Sequence, residues 1–197
     1  MQHLTKQVFS IGRKEREKKN GHKACVVWMS GLSGSGKSTL SDAVCAELFK
    51  RNMQFAQLDG DNTRLGLCND LDFTEQARRE NLRRAAEVAK LNLTNGLITI
   101  ASFITPTETD RYMVRALIGA DLLEVFVHAP VELCIERDVK GLYKKAIRGE
   151  ISSFTGISAP FDVPLNPVLT LNTSQQSIAE CKNDLLDLIL QTCTRND

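Results

Sequence analysis

The sequence predicts an α/β fold, a three-layer sandwich with a mainly parallel β-sheet, a phosphate-binding loop and a lid segment. Three observations predict it. Short apolar runs alternate with helix-length amphipathic runs along the chain. Gly31-Leu32-Ser33-Gly34-Ser35-Gly36-Lys37-Ser38-Thr39 fits the pattern G-x-x-x-x-G-K-[ST] between a predicted strand and a predicted helix. A basic stretch rich in glycine and proline, residues 140–167, then breaks the alternation.

The elements follow in order. Ala24-Cys25-Val26-Val27-Trp28-Met29 reads as a buried strand. Residues 39–51, with Leu40, Ala43, Val44, Ala46, Leu48 and Phe49 apolar, read as a helix. Gln54-Phe55-Ala56-Gln57-Leu58 is a short strand ending at Asp59. Thr74 caps a long helix to about Asn95, with Leu82, Ala85, Ala86, Val88, Ala89 and Leu93 as its apolar stripe and Gly96 as a stop. Strand 97–103, helix 108–119 and strand 123–127 follow, and a helix begins at 131–138. Strand 168–171 and an amphipathic helix over 177–192 close the chain. Parallel strands joined through helices gather ligands at their carboxyl ends.

The chain has 197 residues and a net charge of +1. That length suits one domain with a sizeable core, and the charge gives no bulk case for nucleic-acid or membrane-surface binding. Residues 1–23 are expected to form an N-terminal arm and 24–197 a single domain built around the phosphate loop, with the lid at about 140–160. The charged run 13–19 reads as a solvated helix or arm. No apolar run reaches the length of a membrane span, and no signal-peptide h-region begins the chain. Cys25, Cys45, Cys68, Cys134, Cys181 and Cys193 form no C-x-x-C pair and read as free thiols, several of them in the core, in a cytoplasmic protein.

Glycines let the loop backbone approach phosphates closely, and its N–H groups converge with the helix N-terminus on the anion. Gly31, Gly34, Ser35, Gly36, Lys37, Ser38 and Thr39 are therefore candidate ATP contacts. Lys37 would reach the β- and γ-phosphates, and the Ser38 hydroxyl would ligate Mg²⁺. The next strand end, Leu58-Asp59-Gly60-Asp61-Asn62-Thr63-Arg64, opens two carboxylates, an amide and a guanidinium toward the same cleft. Asp59 or Asp61 could help hold the Mg²⁺, through water, or accept a proton from an attacking hydroxyl. Arg64 could clamp a phosphate or sulfate through paired hydrogen bonds.

At this point the chain resembles the adenylylsulfate kinase (APS kinase) family. Beyond the two segments above, the resemblance rests on Asn20-Gly21-His22-Lys23, Asn69-Asp70-Leu71-Asp72-Phe73 and Arg78-Arg79-Glu80-Asn81-Leu82-Arg83-Arg84. Ala86-Glu87-Val88-Ala89-Lys90-Leu91, Lys140-Gly141-Leu142-Tyr143-Lys144-Lys145-Ala146, Phe154-Thr155-Gly156-Ile157 and Ala159-Pro160-Phe161 complete it. The resemblance implies transfer of the γ-phosphoryl of ATP, with Mg²⁺, to the 3′-hydroxyl of adenosine 5′-phosphosulfate, giving 3′-phosphoadenosine 5′-phosphosulfate (PAPS). It implies catalytic roles for Lys37 and Asp61. It makes Asp61, Asn62, Thr63, Arg64, Phe73, Arg78, Asn81, Ile104, Thr105, Lys140, Ser153 and Phe154 acceptor contacts, with Phe73 against the adenine and Lys140, Ser153 and Phe154 on the lid. Thr105 stands where the family carries a serine proposed as a phosphorylated intermediate, and direct in-line transfer favours a binding role instead. The resemblance also implies a homodimer. The chain departs from the family pattern at Thr107-Glu108, where an arginine is usual, at Asp72 in place of glycine and at Leu65 in place of histidine. A related kinase with another nucleotide-like acceptor, or a nucleotide-binding regulatory protein with little turnover, are the alternative readings.

Overall fold

The computed structural model describes residue 5 and residues 7–194. Residues 1–4 and 6 of the expected arm lie outside the described residues. The strands are β1 (Val26–Ser30), β2 (Phe55–Asp59), β3 (Ile98–Ser102), β4 (Leu122–His128) and β5 (Leu169–Asn172). They form one sheet in the order β2-β3-β1-β4-β5, and every neighbouring pair is parallel. The helices are α1 (Arg13–Asn20), α2 (Lys37–Lys50), α3 (Gly60–Arg64), α4 (Glu75–Thr94), α5 (Glu108–Ile118), α6 (Val131–Arg137), α7 (Leu142–Ile147) and α8 (Ile178–Cys193). Among the described residues no helix is long and apolar enough to cross a membrane.

The predicted three layers follow from strand periodicity. Successive residues of β1 point to opposite faces. Val27 and Met29 pack with Val44 and Leu48 of α2 and Leu185 and Ile189 of α8. Val26 and Trp28 pack with Leu82, Ala85 and Ala89 of α4 and Val114 of α5. All of β1 is buried, as a central strand covered on both faces requires. It lies between β3 and β4, so the chain order reverses there and a crevice opens at the carboxyl ends.

The helix signals read from sequence are realised. Thr74 accepts from Ala77 N at the start of α4, and Ser177 and Glu180 form a reciprocal cap on α8. Three helices differ from expectation. The charged run 13–19 is helical, as α1, and it is fastened to the sheet. The Arg13 guanidinium donates to both oxygens of Asp121, at 2.6 and 2.8 Å, and to Ala24 O at 3.0 Å. Glu17 accepts from Ala24 N at 2.8 Å. The two others, α3 and α7, are short and fall where no helix was expected. Each is capped by an aspartate: Asp59 accepts from Asp61 N and Asn62 N, and Asp138 from Tyr143 N and Lys144 N.

The segment Asn20-Gly21-His22-Lys23 serves as a structural clasp. Asn20 Nδ2 donates to Gly96 O, and Gly21 takes the left-handed conformation that ends α1. His22 Nε2 accepts from Gln54 N at 2.9 Å, and Lys23 N donates to Cys193 O at 2.8 Å. All six cysteines are buried free thiols, as read from sequence, and Cys25 and Cys193 lie 3.3 Å apart at sulfur.

Arg13 joins α1 to both Asp121 and the entry to β1. Its bonds are charge-assisted but partly screened by solvent, so Arg13→Ala should cost about 1–2 kcal/mol. Urea unfolding should register that loss, and amide exchange should accelerate in α1 first. An unchanged midpoint together with unchanged exchange would show that α1 is held by other contacts.

Candidate active site

The phosphate loop joins β1 to α2 and takes its shape from glycine. Gly31 has φ +152°, and a Cβ there would lie 2.4 Å from Val127 O and 2.9 Å from Ser35 Oγ. Gly36 caps α2 at φ +101°. The first-turn amides of α2 have no partner within the helix, which makes its N-terminus an anion site. Lys37 is buried in the loop and donates to Gly31 O at 2.9 Å and Leu32 O at 2.7 Å. Burial, reinforced by the charge of Lys140, lowers its pKa to about 8.

Two residues that the sequence reading passed over brace this loop. Arg137 Nη1, at the end of α6, donates to Gly34 O at 3.1 Å, and its Nη2 donates to Thr173 O at 2.8 Å. Thr173 Oγ1 donates to Ser35 O at 2.9 Å. No motif announces them, because the contacts join positions more than a hundred residues apart. Tyr143 of α7 adds a bond from its hydroxyl to Ser33 O.

Asp59 links the loop to the next strand end. Its Oδ2 accepts from Ser38 Oγ at 2.7 Å, while its Oδ1 caps α3. Of the two carboxylates considered beside Ser38, Asp59 is the one in contact. The Asp61 carboxylate is exposed and pairs with Lys140. Thr63 is buried against Asn81, its Oγ1 lying 3.1 Å from Gly60 O and 3.4 Å from Asn81 Oδ1. Asn62 is exposed next to them.

Arg64 is fixed by three contacts. Its Nη1 donates to Leu71 O and Asp72 O, and its guanidinium lies 4.4 Å from the centre of the Phe73 ring. Phe73 is 66% exposed, so the ring keeps open surface beside the arginine. Arg78 on α4 is half-buried. Burial first, and the charge of Arg64 second, disfavour its own charge. Among the described residues neither arginine has a carboxylate partner. The Asp72 carboxylate feels the charge of Arg64 but bonds to Thr74, so both guanidiniums keep N–H groups that could meet an anion. Asp72 Oδ1 accepts from Thr74 N and Thr74 Oγ1, so this departure from the family glycine braces the turn into α4. Leu65 is exposed.

A family model for adenylylsulphate kinase matches residues 23–172. The chain belongs to the adenylylsulphate kinase family. An adenylyl-sulfate kinase of Bacteroides thetaiotaomicron is 52% identical over 179 residues, covering 90% of this chain and 89% of the relative. The solved Mycobacterium tuberculosis APS kinase CysC, in complex with AMPPNP and APS, aligns with a TM-score of 0.81 and 41% identity, over 84% of this chain and 97% of that one. A shikimate kinase of Acinetobacter baumannii shares the fold at TM-score 0.54 and 17% identity, over 89% of this chain and 97% of that one.

Three residues that the family implicates already hold partners within the chain. Thr105 is 1% exposed and its Oγ1 accepts from Trp28 Nε1 at 2.9 Å, so its hydroxyl is a buried anchor and is closed to a phosphoryl group. Phe154 is 8% exposed, with its ring edge-on to Tyr143 at 4.9 Å in a cluster with Ala129, Cys134 and Ala146, so it packs within the lid's own core. Lys140 is already paired with Asp61, which leaves Lys144, Lys145 and Arg148 as the outward basic face of the segment. Ser153 is exposed with φ +54°, and Ile104 is half-buried with its carbonyl accepting from Gly31 N at 3.2 Å. Glu108 does not leave a free negative charge in the cleft. Burial would raise its pKa, but bonds from Arg111 and Arg115 outweigh that and hold it below the ordinary value.

A cavity of 660 Å³ opens between Leu32, Phe126 and His128 on one side and Pro160 and Phe161 on the other. No lysine or arginine lines it, so it lacks the cations that a polyanionic substrate needs.

The lowered Lys37 pKa has a measurable consequence. Phosphates stabilise the ammonium, so nucleotide binding raises that pKa from about 8. Nucleotide affinity should then fall as pH rises through 8, and binding above it should take up a proton. Calorimetry in buffers of different ionisation enthalpy should detect the uptake, and Lys37→Met should abolish it. Persistence of the uptake in Lys37→Met would assign it to another group.

Proposed function

We propose that this chain transfers the γ-phosphoryl group of ATP to the 3′-hydroxyl of adenosine 5′-phosphosulfate, releasing ADP and PAPS. The observation that carries the reading is the Arg64–Phe73–Arg78 group, two cations in no ion pair among the described residues and an exposed aromatic face against Arg64. An acceptor with a phosphosulfate tail and an adenine ring answers both features. Family membership supports the same conclusion.

In this reading Lys37 leaves its carbonyl partners for the β- and γ-phosphates and neutralises charge as transfer proceeds. Asp61 stands at the opening of the cleft and exchanges Lys140 for the acceptor 3′-hydroxyl. It orients that oxygen and takes its proton as the oxygen–phosphorus bond forms and the bond to the β-phosphate oxygen breaks. Arg64 and Arg78 hold the phosphosulfate, and the open surface of Phe73 meets the adenine. Asn62, Thr63, Asn81 and Ile104 shape the wall around the ribose, and Thr105 anchors that wall from behind. Ser38 and Asp59 present two hard oxygens in contact, a donor set that suits Mg²⁺. Bound there, Mg²⁺ would supply charge neutralisation on the phosphates. Residues 24–197 act as one P-loop kinase domain, with residues 140–160 as a cover whose Lys140–Asp61 contact reports closure. The reading includes assembly as a homodimer, on family resemblance alone, and light scattering of the purified chain should give twice the mass of one chain.

Incubation with ATP, Mg²⁺ and adenosine 5′-phosphosulfate should yield PAPS and ADP in equal amounts. Losing a charged hydrogen-bond partner costs about 1.5–3 kcal/mol, so Arg64→Ala or Arg78→Ala should weaken acceptor binding at least about tenfold with ATP binding nearly unchanged. Asp61→Asn should lower kcat more than it raises KM for ATP. ADP release independent of the acceptor, or equal losses for both substrates in the arginine variants, would overturn the acceptor assignment.

A further inference from the structure

The turn after β3 holds a residue in an unfavourable conformation. Thr105 has φ +47°, a region that costs a β-branched residue about 1–2 kcal/mol. It persists because the surroundings over-determine it. Trp28 Nε1 donates to Thr105 Oγ1 at 2.9 Å, and Arg111 Nη1 donates to Thr105 O at 3.1 Å. Both donors are 1% exposed. Trp28 stacks on Phe103 with ring centres 4.9 Å apart and planes 15° from parallel. Arg111 Nε is held by Glu108 Oε2 at 3.0 Å, and Glu124 Oε1 lies 3.8 Å away.

The same turn touches both halves of the cleft. Ile104 O accepts from Gly31 N, the first residue of the phosphate loop. Phe103 packs against the start of α3 so closely that a Cβ on Gly60 would lie 3.3 Å from its ring. The strained residue therefore follows directly on a turn that contacts the phosphate loop at one residue and the acceptor segment at another.

We infer that Trp28 and Arg111 are positioning residues, which hold Thr105 left-handed and so set the spacing between the phosphate loop and the segment that presents Asp61. The inference rests on the proposed phosphoryl transfer, because only a reaction between groups on the two sides is sensitive to that spacing. Small misplacements of reacting groups cost far more in rate than in binding. The indole N–H acts through the Thr105 hydroxyl, and the guanidinium through its carbonyl.

Steady-state kinetics on a small set of variants tests this. Trp28→Phe keeps a ring on Phe103 and removes the N–H. It should lower kcat at least about tenfold while KM for ATP stays within about twofold. Thr105→Ser keeps the hydroxyl that the indole anchors, so its kcat should exceed that of Trp28→Phe and of Thr105→Gly. Thr105→Gly accepts a positive φ without strain and loses the anchor, so it should match the loss of Trp28→Phe. The double variant should be no worse than either single one, since both remove the same bond. Arg111→Lys keeps the charge beside Glu108 and loses the fork, and it should lower kcat with the same small effect on KM for ATP. This variant and Thr105→Gly carry the test if Trp28→Phe does not fold.

Near-normal kcat in folded Trp28→Phe, or additive losses in the double variant, would overturn the inference while leaving the acceptor reading intact. Abolished turnover in Thr105→Gly with normal turnover in Trp28→Phe would also overturn it, and would make the hydroxyl a reacting group. Absence of product from the unmodified chain would overturn the acceptor reading, and this inference with it.

Discussion

The Asp59 carboxylate accepts from Ser38 Oγ with one oxygen and from the backbone of Asp61 and Asn62 with the other. This one group thereby ties the helix of the phosphate loop to the helix that presents Asp61 and Arg64. It sits at the end of a strand whose last residue pairs in register with Ser102, so its position is inherited from the sheet. Moving it would disturb the Ser38 hydroxyl, the start of α3 and the direction of both acceptor-side charges together. The cleft is thus assembled from two short segments that share a carboxylate and are backed by rigid parallel strands, which is a way to place reacting groups without relying on long loops.

The distribution of charge follows from the same economy. Around α5 the arginines are neutralised: Arg111 and Arg115 meet Glu108 and Glu124, and Arg79 meets Asp110. At the cleft the pattern reverses. Lys37 bonds only to neutral oxygens, and Arg64 and Arg78, near enough for one charge to act on the other, have no ion-pair partner among the described residues. Burying uncompensated cations is unfavourable on its own and becomes favourable when an anion arrives. The glutamate that replaces a usual arginine at Glu108 belongs to the neutralised group. This explains why its sign need not disturb an anionic site nearby.

The long elements were legible because each carries redundant signals. The helix α4 has a capping Thr74, an unbroken apolar stripe and a glycine stop, so independent cues agree over 20 residues. Short elements lack that redundancy. The helix α7 spans six residues, and its buried Tyr143 and Ala146 make a single i, i+3 pair within a basic stretch. The helix α3 opens on Gly60-Asp61-Asn62, a run of turn-forming composition, and becomes helical because Asp59 satisfies its first amides. Phe154 is hard to place from sequence for a related reason. An aromatic in an irregular segment gives no hint whether it faces a ligand or closes its own cluster with Tyr143.

The sequence by itself determined the order of strands and helices, the phosphate loop between β1 and α2, and the set of charged residues gathered at the strand ends. These depend on local periodicity, on glycine's freedom at positive φ and on a spacing of a few residues, all of which are written in contiguous stretches. Only the tertiary structure decided which partner each of those residues meets. It chose Asp59 over Asp61 for Ser38, gave Lys140 to Asp61, closed Trp28 over the Thr105 hydroxyl and brought Arg137 and Thr173 to the back of the loop. Such contacts join positions far apart in the chain, and their geometry is set by how the sheet and its two helical layers stack. A pairing of this kind leaves no periodic trace in the sequence, so it becomes visible only once the packed layers have fixed the distances.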